Sequence, residues 1–300
     1  VSTGDHHPVV AVEADVLGNE PVGAYRRLTL AVPGVAATAR PGQFAALTVG
    51  GETSGLLLRR SFSIHRVAAG SDPAGDRLEI VVADAGPGTH WLTQRTPGDR
   101  VGVLAPLGNG FSLPAAPGEC VLIGGGYGSA PLPWLAEHLR AMGSRVHMIL
   151  GAATRDRLFG AAEAGAVADS VHVVTVDGSA GAVGLVTDPL RQLLRDNNIG
   201  AVYACGPMGM LRAVGELAIE AGAVAQVAVE EAMACGVGVC MTCVLPIRGH
   251  DGATRMTRTC LDGPVFDARA LRWEAAADGR VAVPDDAVGA PSAPVGRSGR

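Results

Sequence analysis

The stretch Cys120-Val-Leu-Ile-Gly-Gly-Gly-Tyr-Gly-Ser-Ala130 sets the architecture of the middle of this chain. A short apolar run ends at Ile123, four glycines follow within five residues, and Pro131 to Met142 then repeats its apolar positions at helical spacing. The prolines fall near the helix start, where a missing N–H is tolerated. A strand that runs through glycines into a helix presents backbone N–H groups to which a nucleotide phosphate can come close. The loop is not G-x-G-x-x-G, because Ser129 occupies the third glycine position. The segment Arg145 to Leu150 also lacks the carboxylate that would bind a ribose. A tight strand–helix turn without a ligand would read the same way.

Toward the C-terminus, strands are predicted at Arg145–Leu150, Val171–Val176 and Ala201–Ala204, and helices at Pro189–Asp196 and Met208–Ala221. This alternation predicts an α/β domain with a parallel sheet and helices on both faces. Toward the N-terminus the pattern is β-rich. Arg27–Val32 and Arg77–Val82 read as strands, and Pro41-Gly42 and Pro97-Gly98 read as turns. Frequent strands without long helical periods predict a small antiparallel β-barrel. The expected division is therefore a barrel over 1–113, an α/β domain over 114–225, a small cysteine-bearing domain over 226–272 and a disordered tail over 273–300.

Composition narrows the function. The chain has 300 residues, 48% of them hydrophobic and 18% charged, enough to bury a sizeable core. All 24 basic residues are arginine, the formal charge is −5, and no basic stripe stands out, which gives nucleic-acid binding no electrostatic support. No apolar run is long enough to span a membrane, and Val1 to Pro8 has no signal-peptide layout. Six cysteines, four of them between Cys235 and Cys260, point to a metal or cluster site in a reducing compartment, the cytoplasm.

Those four are spaced Cys235-x4-Cys240-x2-Cys243-x16-Cys260, the plant-type iron–sulfur pattern. Four thiolates supply two ligands to each iron of a [2Fe–2S] cluster, and Gly236 and Gly238 suit a tight loop whose N–H groups turn toward sulfur. A four-cysteine zinc staple is the other reading, but it normally uses two short knuckles and only Cys240-x2-Cys243 is present. Earlier, Arg60-Ser61-Phe62-Ser63 combines a cation for a pyrophosphate, an aromatic for a flavin ring and hydroxyls for ring nitrogens. At Gly88-Thr89 the glycine allows a phosphate close to the backbone.

Arg-x-aromatic-Ser, Gly-Thr, a glycine-rich loop and Cys205-Gly-Pro207, in that order, resemble the ferredoxin–NADP reductase superfamily. Asp177-Gly-Ser179-x-Gly181-x-x-Gly184-x-Val-Thr-Asp188 is similar to part of its NAD(P) domain. Three further stretches narrow the likeness: Pro106-Leu-Gly-Asn-Gly-Phe111, Glu230-Glu-x-Met-x-Cys235-Gly-x-Gly-x-Cys240-x-x-Cys243, and Cys260-x-Asp-Gly-Pro-Val-Phe266. Together they resemble the electron-transfer subunits of NAD-linked dihydroorotate dehydrogenases over about Val9 to Leu271.

That resemblance implies an FAD-binding barrel, an NAD-binding α/β domain and a [2Fe–2S] domain. It also implies a separate FMN-containing partner subunit that oxidises dihydroorotate in pyrimidine (UMP) biosynthesis, with two of each chain. By the same resemblance, Arg60, Ser61, Phe62 and Ser63 would hold FAD, Val81, Val82 and Ala83 would flank it through the backbone, and Gly88 and Thr89 would meet its phosphates. Gly124, Gly125, Gly126 and Gly128 would face NAD, and Cys205, Gly206 and Pro207 would lie by the nicotinamide. Cys235, Cys240, Cys243 and Cys260 would hold the cluster. No acid–base residue for the substrate is expected here. Phe62 lacks the hydroxyl of the tyrosine that the superfamily often has there. A related NAD(P)H reductase subunit serving another acceptor is the alternative, and a zinc-stapled binding module is the alternative outside redox chemistry. Cys120, Trp91 and Trp134 read as packing residues, and His65 and His90 as local hydrogen-bonding residues.

Overall fold

The computed structural model describes residues 8–51, 54–70, 75–277 and 280–288. The first six strands are β1 (Val10–Val22), β2 (Tyr25–Ala31), β3 (Phe44–Leu47), β4 (Arg60–Ala68), β5 (Arg77–Ala83) and β6 (Arg100–Leu107). They close into an antiparallel barrel in the order β1-β2-β5-β4-β3-β6. Closure comes from β1 pairing with β6, from Val10 opposite Ala105 to Asp15 opposite Arg100, which leaves neither strand with an unpaired edge. Period-two alternation turns Leu28, Leu30, Leu78, Ile80 and Val82 inward with Ile64 and Val103. Each such side chain contributes about 1.5–3 kcal/mol by leaving water. Two short helices, α1 (Val35–Thr38) and α2 (Pro87–Thr93), cover the connections.

The α/β part contains β7 (Glu119–Gly125), α3 (Leu132–Ala141), β8 (Arg145–Ala152), α4 (Ala161–Val167), β9 (Ser170–Thr175), β10 (Ala182–Val183), α5 (Thr187–Asp196), β11 (Ile199–Cys205), α6 (Met208–Glu220) and β12 (Val224–Ala228). The strand order is β10-β9-β8-β7-β11-β12, all parallel. Alternation along β7 divides the core. Val121 and Ile123 pack toward α5 and α6 with Leu190 and Leu211, while Cys120 and Leu122 pack toward α3 and α4 with Leu135 and Ala164. The Cys120 thiol is thus part of the core, and burial raises its pKa.

The cysteine-bearing segment does not build a core of its own. It contains a hairpin of β13 (Val244–Arg248) and β14 (Thr254–Arg258), a turn of helix α7 (Thr259–Asp262) and β15 (Val265–Asp267). Strand β15 adds antiparallel to β12, and Leu245, Phe266, Leu271 and Trp273 share the α5–α6 side of the main core. The boundary expected at 225/226 accordingly falls inside β12. The expected tail is also ordered at its start. Buried Trp273 donates Nε1–H to Ala268 O, Arg272 pairs with Asp286 at 2.8 Å, and Val288 N–H donates to Thr254 O. Residues 289–300 lie outside the described residues. Among the described residues no helix is long and apolar enough to cross a membrane.

Candidate functional site

In the sheet order, β7 continues to β8 on one side and the chain returns as β11 on the other. The crevice beyond the carboxyl ends of these two strands is the topological switch point, where open α/β sheets bind ligands. A cleft of about 500 Å3 lies there, lined by Gly125, Gly126, Tyr127, Pro207, Met210 and Glu230, among others. Its far end is apolar, with Val174, Val176 and Leu185. A second cavity of about 350 Å3 opens between the barrel and the α/β part. Its walls include Ser61, Phe62 and Ser63 from β4, Val81 from β5, Gly128 and Met233. Tyr127 and Glu230 line both cavities. The Glu230 carboxyl reaches solvent through them, yet the protein packed around it raises its pKa by desolvation. Burial likewise raises the Tyr127 phenol, and Glu230 adds to it.

The glycine loop serves both cavities. Gly125 and Gly126 face the larger one and Gly128 the smaller, while a Cβ on Gly124 would overlap Ser129 inside the loop. Gly124 therefore packs the turn and lines neither cavity. Gly128 also lies against the Cys205-Gly-Pro207 turn. A Cβ there would sit 2.8 Å from Gly206 Cα and 2.9 Å from Cys205 O. Both are backbone atoms, so Gly128→Ala must separate the two loops. The expected cost is about 1–3 kcal/mol, read as a lower midpoint in a denaturant melt. Cys205 is buried and desolvation raises its thiol pKa; of its turn, Pro207 lines the larger cleft.

Arg60 and Gly88 meet at the rim of the barrel. A Cβ on Gly88 would lie 3.1 Å from Arg60 Nε, and Arg60 Nη1 is held by Leu58 O at 2.8 Å. The Thr89 hydroxyl is already engaged. It accepts from Ala85 N–H and Gly86 N–H and donates to Gly86 O, so it braces the loop while Arg60, packed against Gly88, keeps donors for an anion. Val82 turns its side chain into the barrel core, whereas Val81 and Ala83 pack with Tyr25 and Phe159 at the domain boundary.

The cysteine loop docks on the barrel beside the flavin-sized cavity. A Cβ on Gly236 would touch Ala46 and Phe44 at 3.5 Å and the Ser61 hydroxyl at 3.7 Å. Cys243 and Cys260 are buried with Phe44, Ala46 and Leu107. Asn109, from the Pro106–Phe111 stretch, joins barrel to cluster segment: its N–H donates to Gly263 O and its side chain to Leu261 O. The loop bends through Gly236, Met241 and Gly238 in the left-handed region. This turns the N–H groups of Val237, Val239 and Cys240 toward Cys235 Sγ at 3.4–3.5 Å.

The four thiols influence one another. Cys240 bonds with Cys235, and it is pulled down to about 6 chiefly by Thr242 and then by that partner. Cys260 is pushed up to about 12, by burial first and by its neighbour Cys243 second. Among the described residues no three of His, Cys, Asp or Glu gather as ligands of one ion. Four thiols on one loop and the helix turn beside it suit a two-iron cluster, with two thiolates per iron. N–H groups aimed at sulfur suit a thiolate ligand and tune its potential.

The other singled-out residues behave locally. His90 Nδ1 lies 2.8 Å from Asp84, and Trp134 packs against the barrel core. Sequence reading did not single out Tyr127, Glu230 or Phe44 as site residues. Tyr127 sits within the glycine loop and Glu230 opens the cysteine stretch, so position in those motifs was the available signal.

Residues 230–272 match the family model described as the iron-sulfur cluster binding domain of dihydroorotate dehydrogenase B. The dihydroorotate dehydrogenase B (NAD(+)) electron transfer subunit of Geobacillus thermodenitrificans is 41% identical over 243 residues, covering 80% of this chain and 90% of that protein. The protein of the same name from Desulforamulus reducens is 36% identical over 242 residues, covering 81% and 90%. The solved structure of an NADH-dependent reduced ferredoxin-NADP oxidoreductase superposes with a TM-score of 0.75 at 28% identity, covering 88% of this chain and 91% of that one. A ferredoxin NADP+ reductase from Neisseria gonorrhoeae shares the fold, with a TM-score of 0.55 at 18% identity, covering 71% and 92%. With this identity over this share of its length, on a reductase fold, the chain belongs to the family of electron-transfer subunits of NAD-linked dihydroorotate dehydrogenase B.

Proposed function

We propose that this chain carries electrons from the FMN of a dihydroorotate-oxidising partner subunit to NAD+, in a cytoplasmic complex of two copies of each chain. One observation supports the order of centres above the others. The cysteine loop touches Ser61 and Phe44 of the flavin-sized cavity at Gly236, and Tyr127 and Glu230 join that cavity to the nucleotide cleft. A nicotinamide exchanges two electrons at once and an iron–sulfur cluster one, and a flavin supplies the conversion between them. The residues' part is placement. Ser61, Phe62, Ser63 and Val81 hold the flavin ring, Arg60 and Gly88 its pyrophosphate, and Gly125, Gly126 and Pro207 the nicotinamide half of NAD. Cys235 with Cys240, and Cys243 with Cys260, hold the cluster. Buried Phe44, Ala46 and Leu107 keep water from its inner side.

The partner would meet the outer side. Cys240 is exposed there, with Val237, Val239, Met241 and Leu261 at 41%, 79%, 51% and 43% exposure. Apolar side chains around a redox centre suit a docking surface. Val239→Asp is expected to weaken the complex at least about tenfold, measured by titrating the partner, with NADH reduction of the flavin unchanged.

The test is anaerobic co-purification of both chains from cells, followed by assay of dihydroorotate-dependent NAD+ reduction. Activity with a co-eluting FMN subunit supports the proposal. A brown eluate that NADH reduces but dihydroorotate does not overturns it. That outcome would favour the second reading, a reductase serving another acceptor, on which the likeness to the NADH-dependent oxidoreductase structure bears.

A further inference from the structure

His65 is 1% exposed, and from barrel strand β4 it reaches into the α/β part. Its Nδ1 lies 2.5 Å from Ala130 O, at the end of the glycine loop. Its Nε2 lies 3.3 Å from Glu163 Oε2 on α4. A carbonyl oxygen can only accept, so Nδ1 carries a hydrogen. Glu163 Oε2 is shielded from solvent and makes no hydrogen bond, so Nε2 lies close to it while the directed bond of the ring is the one through Nδ1.

The charges around it are few. Glu163 also meets Arg27 of β2 at 3.6 Å, and Arg66 of β4 pairs with Glu137 of α3 at 2.7 Å. With His65 as its largest cause and both arginines contributing, the Glu163 carboxyl lies below its ordinary pKa. The His65 ring packs edge-on against Phe159 at 5.5 Å, and Phe159 O accepts from the Ser129 hydroxyl of the glycine loop. Tyr25 of β2 stands edge-on to both Phe159 and Tyr127. His65 therefore ties the barrel to the loop that carries Tyr127 and Gly128 between the two cavities.

We propose that His65 is a positioning residue for hydride exchange between nicotinamide and flavin: held between Ala130 O and Glu163, it fixes the Gly124–Ser129 loop against the FAD barrel. The proposal rests on the reading that the two cavities hold NAD and FAD. Misplacement of a loop between two reacting rings slows transfer without removing either ring.

The test uses the full chain loaded with FAD and its cluster. Histidine-selective 15N NMR, with His65 assigned by its absence in His65→Gln, should show Nδ1 carrying the hydrogen that faces Ala130 O. Stopped-flow reduction of FAD by NADH should be slower in His65→Gln by on the order of tenfold, with FAD occupancy unchanged. The loss should fall on the limiting rate, with the NADH concentration at half-saturation within about twofold of wild type. An Nδ1 without a hydrogen in the wild type, or a wild-type limiting rate in His65→Gln, would overturn the proposal. Should His65→Gln lose FAD, Glu163→Gln takes its place in the rate measurement, with the same two readings. A wild-type flavin that NADH cannot reduce would count against the NAD and FAD assignment, and the Nδ1 signal would still decide the bond from His65 to Ala130.

Discussion

Cys240→Ser is expected to lower dihydroorotate-dependent NAD+ reduction by at least about a hundredfold. NADH oxidation by a dye that takes electrons from the flavin should stay within about twofold of wild type. The contrast follows from where the four cysteines sit. Cys243 and Cys260 are buried against Phe44 and Leu107, so replacing either also disturbs the wall of the barrel. Cys240 is exposed, at the rim of the loop, and its nearest partners are Cys235 and Thr242. A serine there keeps the packing and removes one soft ligand, which an alkoxide oxygen replaces poorly. Iron and acid-labile sulfide analysis should show the cluster lost, and the flavin spectrum should be unchanged. Equal losses in both assays would mean that the cysteine loop supports the flavin site as well as the cluster.

Arg60→Ala carries the second large effect, a fall in FAD affinity of about one to two orders of magnitude. Arg60 is positioned by Leu58 O and packs with Val49 against buried Gly88. Its remaining donors are free for a pyrophosphate, whose charge-assisted bonds are the strong kind. Arg60→Lys should recover part of the affinity and not all, because a point charge replaces a planar fork. Flavin released on gel filtration, measured by fluorescence, reads the loss. Thr89→Ala should act differently. The Thr89 hydroxyl braces Ala85 and Gly86, so its removal costs loop stability more than it costs a phosphate contact.

Much of this was legible because local pattern and tertiary role coincide. Alternation in β7, β8 and β11 places successive side chains on two helical layers, so apolar runs between helices of clear period read directly as a parallel sheet. The cysteine spacing is a local signal for a loop that folds locally. Features made by distant segments were not legible. Strand β15 joins β12 across nearly forty residues, and nothing in Val265–Asp267 marks it as part of the main sheet. The division of the glycine loop between two cavities depends on how the Cys205–Pro207 turn packs against Gly128. His65 looks like one more polar residue on β4, and its two partners lie 65 and 98 positions away in sequence. The ordered start of the expected tail, anchored by Trp273 and by Arg272 with Asp286, is hidden by its Ala- and Gly-rich composition.

The order of centres puts the cluster on the partner's side and FAD on the side of NAD. EPR of the assembled complex after anaerobic reduction from each end reads that order. In wild type, both dihydroorotate and NADH should produce the signal of the reduced cluster. In a complex stripped of FAD through Arg60→Ala, dihydroorotate should still produce it and NADH should not. A cluster signal from NADH without FAD, or none from dihydroorotate in that complex, would contradict the order argued from Gly236, Ser61 and Tyr127.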